Sequence, residues 1–253
     1  MAPPVGLGSR LIGPDAIPFV PTDLATLAWW LRADLGQTPS GGPLSGWADQ
    51  SGVGDVNENA SQATSGSRPT VIASDSAWNH RTSLALASAS NQFMSTGFFH
   101  TAPPVTTSGI TVFVVGNTDG TSSAQVFIDD FNAFATMMLS NGSSASEISL
   151  NCGAALSATI GAGALAGPSI MAFQYKAGAS TNKLYWNAKT PVATGSCGSG
   201  QPSSFAIGST TGGAQSLNGK VLEYAMFKAL LDSADMNSMW GYLGSRYNVS
   251  IGA

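Results

Sequence analysis

Hydrophobic residues in this chain recur mostly at every second position, the period of an extended strand whose side chains point alternately to two faces. The segment LATLAWWLRAD, residues 24–34, reads as such a strand and must send the adjacent Trp29 and Trp30 to opposite sides. In SIMAFQYK (169–176) Met171, Phe173 and Tyr175 share a side, and in GKVLEYAMFKAL (219–230) Leu222, Tyr224 and Met226 do so. GITVFVVGN (109–117) is apolar on both faces, as expected of a strand buried in a two-layer structure. NKLYWNAK (182–189) reads as a strand running into a tight turn. Shorter candidates lie at 84–87, 92–96, 124–128, 134–139, 147–151 and 204–208, with Gly, Asn, Ser or Pro at nearly every junction. Many short strands with no helices alternating between them predict an all-β sandwich or barrel, not a parallel α/β sheet.

Two segments break the pattern. In DSADMNSMWGYLGSRYN (232–248), Met236, Met239, Trp240, Leu243 and Tyr247 recur at helical spacing on one face. Asp232 or Ser233 can cap the N-terminus of this helix, and Asp235 favours the positive end of its dipole. Gly241 and Gly244 each cost about 1 kcal/mol in an isolated helix, so docking of the apolar stripe onto the sandwich has to hold it. The other segment is residues 1–22, with prolines at Pro3, Pro4, Pro14, Pro18 and Pro21. Proline removes backbone donors and fixes φ, which excludes a regular helix or a central strand. Val5, Leu11, Ile17, Phe19 and Val20 are too many apolar residues for an inert linker. The expectation is an extended arm, 1–22, laid against its own domain or a neighbouring subunit, followed by one domain, 23–253.

Composition narrows the partners. Of 253 residues 43% are hydrophobic and only 9% are charged, against roughly 25% in ordinary domains, with 30 glycines helping to fill the gap. The net charge is −4 and the ten Lys and Arg are scattered singly, so no basic patch is available to neutralise the phosphates of a nucleic acid. No apolar run reaches the roughly 18 residues needed to cross a bilayer as a helix, so no membrane insertion is expected. The first residues show neither a basic n-region nor a continuous apolar h-region, so synthesis in a cytoplasm without a Sec signal peptide is expected.

Candidate chemistry is sparse. Cys152 and Cys197, with His80 and His100, have no zinc-motif spacing; the two cysteines are either small buried thiols or a disulfide joining neighbouring loops. Glycoside hydrolysis needs two carboxylates about 5–10 Å apart. The three glutamates, Glu58, Glu147 and Glu223, are far apart in the chain, and Asp129 and Asp130 are adjacent and would face opposite sides of a strand. Glu223 has no acid two or four residues away and reads as a solvent-facing or locally paired strand residue. No G-x-S-x-G elbow, phosphate-binding loop or dinucleotide fingerprint occurs. The expectation is a protein without a catalytic site, a glycoside hydrolase being the least favoured alternative.

The order of motifs resembles a known group of domains. LAWWLRADLG, SGWADQSG, SRPTV and NQFMSTG are followed, after a long β stretch, by KLYWNAK, FAIGS and LNGKVLEYAMFKALLDSADMNSMWGYLGSRY. This resembles the laminin-G-like, concanavalin-A-like jelly-roll domains found in bacterial and bacteriophage proteins, over residues 24–250. The resemblance implies an antiparallel jelly-roll sandwich with a short C-terminal helix. Where such domains often turn the LYW-like strand with Asn-Gly, this chain has Asn187-Ala188, so either the turn type differs or Asn187 alone takes the left-handed conformation.

The acidic stretch SGWADQSGVGDVNEN (45–59) looks at first like a calcium loop. Aligned on an EF-hand, Asp49, Ser51 and Gly54 suit positions 1, 3 and 6, but position 12 is Ala60 where a bidentate Glu is needed. Within the jelly roll, Trp47 is an inward anchor and DQSG the turn after it, where Asp and Ser bond nearby amides. A calcium ion held by Asp49 or Asp55 with loop carbonyls is the weaker alternative, and no other cofactor is expected.

Two functional readings follow. The first is a structural protein of a bacteriophage virion surface, a decoration, head-fibre or tail component. Its arm (Pro3, Pro4, Leu11, Ile17, Phe19 and Val20) would grip other virion proteins or a second copy of the chain, giving a homo-oligomer. The second is a carbohydrate-binding adhesin, with Trp78 and Asn79, and Asn141, as the available stacking and hydrogen-bonding residues.

Overall fold

The structure, a computed structural model, describes residues 18–53, 58–97, 107–120, 124–130, 138–141, 146–202, 204–210 and 215–253. In chain order the strands are β1 (Leu27–Arg32), β2 (Gln37–Thr38), β3 (Gly46–Trp47), β4 (Ala60–Ser61), β5 (Thr70–Asp75), β6 (Arg81–Leu86), β7 (Met94–Thr96), β8 (Ile110–Thr118) and β9 (Val126–Asp130). They continue as β10 (Met138–Ser140), β11 (Glu147–Asn151), β12 (Ala155–Thr159), β13 (Ser169–Tyr175), β14 (Asn182–Trp186), β15 (Ala193–Gly195), β16 (Phe205–Ile207) and β17 (Gly219–Phe227), and helix α1 (Ser233–Tyr247) closes the chain.

The strands form two antiparallel sheets. One runs β15-β14-β13-β8-β17-β6-β5 and the other β12-β11-β10-β9-β16-β7-β4-β3-β2. β17 is the organising strand of the first: β8 flanks it along its whole length, while β6 takes Gly219–Val221 on the far side and β1 takes Glu223–Phe227. The result is the expected sandwich with a short C-terminal helix.

Alternation distributes side chains between two cores. Trp29, Val112, Val114, Met171, Phe173, Tyr175, Tyr224 and Met226 fill the space between the sheets. Trp30, Phe113, Val115, Ile170, Ala172, Ala225 and Phe227 point to the other side of the first sheet, where α1 covers them. Trp29 and Trp30 thus do part to opposite faces. β17 departs from strict alternation: a bulge between Val221 and Glu223 puts Leu222 under the helix, away from Tyr224 and Met226. An extra residue in one strand shifts every later side chain by one face.

The helix is set as its sequence requires. Asp232 Oδ1 accepts from the N–H groups of Ala234 and Asp235, both at 2.9 Å, a cap of about 1 kcal/mol. Met236, Met239, Trp240, Leu243 and Tyr247 are buried against the sheet. Asn248 ends the helix at φ 54. Gly244 marks a close approach, since a Cβ there would lie 2.9 Å from Ile251 Cγ1. Asn187 alone takes the left-handed conformation at its turn (φ 45), and its Oδ1 accepts from Ile170 N–H at 2.7 Å.

Strands β5 and β12, not legible as alternating segments, are the outermost strands of their sheets. Among the described residues each has one neighbouring strand, the outer edge of β5 meeting only a bridge from Pro43, and they carry few buried residues, Asp75 in β5 and Leu156 in β12.

Candidate functional site

The residues singled out for sugar binding do not form a site. Trp78 is fully buried, its ring meeting Tyr247 edge-on at 6.2 Å beneath α1. It presents no face to a sugar, because the helix packs over it. Asn79 is exposed in a left-handed turn at φ 54, and its Nδ2 donates to the Arg246 carbonyl at 3.2 Å. Asn141 is fully buried; its Oδ1 accepts from Gln125 N–H at 2.6 Å and its own N–H donates to the Gln125 carbonyl. It ties β10 to the chain entering β9 and is not placed to meet a ligand.

The acidic loop behaves as a corner. Asp49 Oδ1 accepts from Trp30 N–H at 2.7 Å and Ser51 N–H at 3.2 Å, while its Oδ2 accepts from Ser51 Oγ. The carboxylate therefore staples β1 to the turn. Asp55 lies outside the described residues, as do His100, Pro3, Pro4, Leu11 and Ile17. Among the described residues no three His, Cys, Asp or Glu side chains gather as metal ligands.

Cys152 and Cys197 are both buried and both free. The Cys152 N–H donates to the Cys197 carbonyl at 3.0 Å, and Asn182 Nδ2 donates to Cys197 Sγ at 3.3 Å. Burial pushes the Cys152 thiol well above the ordinary range, while hydrogen bonds, that with Cys152 foremost, hold Cys197 below it.

The described part of the arm lies on its own domain. Phe19 packs edge-on against Tyr242 of α1 at 6.3 Å, and Asp23 Oδ2 accepts from Val20 N–H at 2.9 Å. Between this segment and α1 lies a cleft of about 550 Å³. Its walls include Phe19, Arg32, Arg81, Gly241, Tyr242 and Arg246. Arg32 ends β1 and Arg81 begins β6, so both strands that flank β17 on one side deliver an arginine to it.

Beneath the cleft sits Glu223, only 1% exposed. The bulge in β17 turns it toward the helix, where Oε1 accepts from Trp30 Nε1 at 2.6 Å and Tyr242 OH at 3.1 Å. Oε2 accepts from Tyr247 OH at 2.6 Å, and Arg246 Nε is 3.7 Å away. Burial raises the Glu223 pKa; the donors from Tyr247 and Trp30 and the two nearby arginines oppose the rise without cancelling it. Its reading as a solvent-facing or locally paired residue is thereby corrected.

Above Glu223, Asp34 bridges two guanidinium groups: Arg32 Nε at 2.7 Å and Arg246 Nη2 at 2.6 Å. Partial burial opposes ionisation of Asp34, but the two arginines hold its carboxyl below the usual range. Each guanidinium also rests on an aromatic face, Arg32 over Trp30 at 5.2 Å and Arg246 over Tyr247 at 5.5 Å. None of Arg32, Arg81, Tyr242 and Arg246 stood out in the sequence. The available signals were Arg32 two positions after Trp30 on one strand face, and a lone glutamate inside the apolar run of β17.

No family model and no curated protein sequence matches the chain. Solved structures resemble it in fold. A Trypanosoma rangeli sialidase in complex with the inhibitor DANA superposes with a TM-score of 0.57 at 15% identity, over 88% of this chain and 34% of that one. The binding domain of botulinum neurotoxin DC in complex with SialylT also gives 0.57, at 9% identity, over 88% of this chain and 52% of that one. Domain 4 of AbnA, a GH43 extracellular arabinanase from Geobacillus stearothermophilus in complex with arabinotriose, gives 0.53 at 13% identity, over 85% and 98%. The chain thus spans about a third and about half of the first two proteins and nearly all of the arabinanase domain. At such identities the likeness establishes the sandwich fold.

Proposed function

We propose that this domain binds carbohydrate, with the sugar seated in the cleft between α1 and Phe19. The observation that carries the reading is the pairing of aromatic rings and polar side chains within one cleft on a rigid sandwich. Half-buried Phe19 and Tyr242 offer apolar surface to the C–H face of a sugar ring. Asn237, Ser238 and Ser245 offer hydrogen-bonding groups to hydroxyls along the exposed side of the helix. Solved neighbours of this fold carrying SialylT and arabinotriose support a glycan-binding role. Binding alone is assigned, with no catalytic step.

A glycan array probed with the full chain, with hits then titrated against wild type and Phe19→Ala, tests this. Retention that Phe19→Ala weakens is expected. A blank array, or hits indifferent to Phe19→Ala, overturns the reading.

A second reading is that of a virion surface protein docked through its arm. Anchored on Tyr242, Phe19 would hold the root of the arm in place while residues 1–17 reached a neighbouring subunit. Deletion of residues 2–17 is then expected to leave a folded domain that no longer joins the particle, and normal incorporation would sink the idea.

A further inference from the structure

We infer that the ligand of this cleft is an acidic glycan, whose sugar carboxylate is bound by Arg81 together with Arg32 and Arg246. The inference rests on the carbohydrate reading above and specifies its ligand.

Charge is the first argument. The chain carries only ten Lys and Arg against fourteen Asp and Glu. Three of those ten nevertheless line this one cleft, from β1, β6 and α1. Two acids stand against them: Asp34, shared between Arg32 and Arg246, and Glu223, sealed below. If both are ionised the cluster still holds one positive charge in excess, in a protein of net charge −4.

Donor geometry is the second. Arg246 spends Nε on Tyr247 OH at 3.3 Å and Nη2 on Asp34. Arg81 has one hydrogen bond among the described residues, from Nε to the Arg246 carbonyl at 3.4 Å, which orients its guanidinium and leaves both terminal amino groups for a ligand. Two N–H groups of one guanidinium match the two oxygens of a carboxylate. Arg32 and Arg246 are stacked on rings and 16% and 13% exposed, so an incoming anion meets cations that are already ordered and weakly screened.

Space is the third. Gly241 lies mid-helix on the cleft wall, and a Cβ there would meet no atom within 4 Å. The fold has no steric need of glycine at this point, and the helix is weaker for it. What the missing side chain leaves is room beside Tyr242. A cleft of about 550 Å³ falls in the ~300–1,000 Å³ range of small-molecule sites. A polyanionic strand would need a basic track, and the other seven cations are scattered singly along the chain. One carboxylate on a sugar ring fits both the charge and the volume.

The test is calorimetric titration of the full chain with sialyllactose and trigalacturonate as carboxylate probes, lactose and maltotriose as neutral probes, and a lactose sulfate. Binding of a carboxylate probe that weakens with salt is expected. Arg81→Ala should lower its affinity about ten-fold, the loss of a charge-assisted hydrogen bond, with the melting temperature unchanged. Gly241→Ala should lower affinity while raising the melting temperature, a pair of signs that damage to the fold does not produce. Neutral sugars bound as tightly as acidic ones, or binding indifferent to Arg81→Ala, overturns the inference and leaves the carbohydrate reading standing. Preference for the sulfate also overturns it, and no binding of any probe, with a blank array, removes both.

Discussion

Trp30 Nε1 donates to Glu223 Oε1 at 2.6 Å across 193 residues of chain, joining β1 to β17 beneath α1. The bond exists because β1 pairs with the far half of β17 and the bulge in β17 turns Glu223 to the face that Trp30 occupies. Trp30→Phe keeps an aromatic ring, smaller than the indole, and removes the donor, leaving a buried carboxylate oxygen with one partner fewer. An unsatisfied buried group of this kind costs about 1–3 kcal/mol, so a fall in the urea midpoint at an unchanged slope is expected. An unchanged midpoint would mean that water or Tyr242 replaces the indole.

Glu223 and Asp75 drive stability in opposite directions with pH. Burial sets the Glu223 pKa above its ordinary 4.5, so the folded state holds that proton more tightly than the unfolded chain. Its contribution to stability is full below 4.5 and is lost as pH rises through the folded value. Glu223→Gln should therefore remove a decline in melting temperature on the alkaline side of 4.5.

Burial also opposes ionisation of Asp75, but hydrogen bonds from Lys220, at 2.6 Å, and Ser83, at 2.7 Å, outweigh it and hold its pKa below 3.8. Its contribution is present above 3.8 and is lost as pH falls through the folded value. Asp75→Asn should flatten the acid limb of the melting curve. Thermal melts of wild type and both variants across the acid range would separate the two carboxyls.

Trp78→Ala is expected to unfold or strongly destabilise the domain. Its ring is fully buried between Tyr247 and the sheet, and such truncations cost about 3–5 kcal/mol. A stable variant that had merely lost glycan binding would return Trp78 to the sugar site.

Both thiols should be silent in the folded protein. Cys152 and Cys197 are free and have no solvent exposure, so a thiol reagent is expected to label neither under native conditions and both in denaturant. Failure to label in denaturant without prior reduction would mean that the pair is oxidised.

Much of the fold follows from local pattern. Alternation from Trp29 to Leu31, and along Met171, Phe173 and Tyr175, fixes which face each side chain takes, because a strand repeats every two residues; the irregularity between Leu27 and Trp29, which sends Ala28 and Trp29 to the same core, is not visible in the pattern. The helix is equally plain, since Asp232 caps it and its apolar stripe recurs at helical spacing. Edge strands such as β5 and β12 escape this reading, having little to bury. The site escapes it for another reason. Nothing beside Glu223 in the chain reveals that a bulge turns it under a helix, and nothing around Trp78 shows that α1 comes to rest on it. Arg32, Arg81 and Arg246 stand on three elements and converge only because β1 and β6 share one side of β17 while α1 crosses above. Periodicity, a property of neighbours in sequence, determined the sandwich and its helix; the cleft depends on long-range packing, and only the tertiary structure decided which charges and rings would face one another.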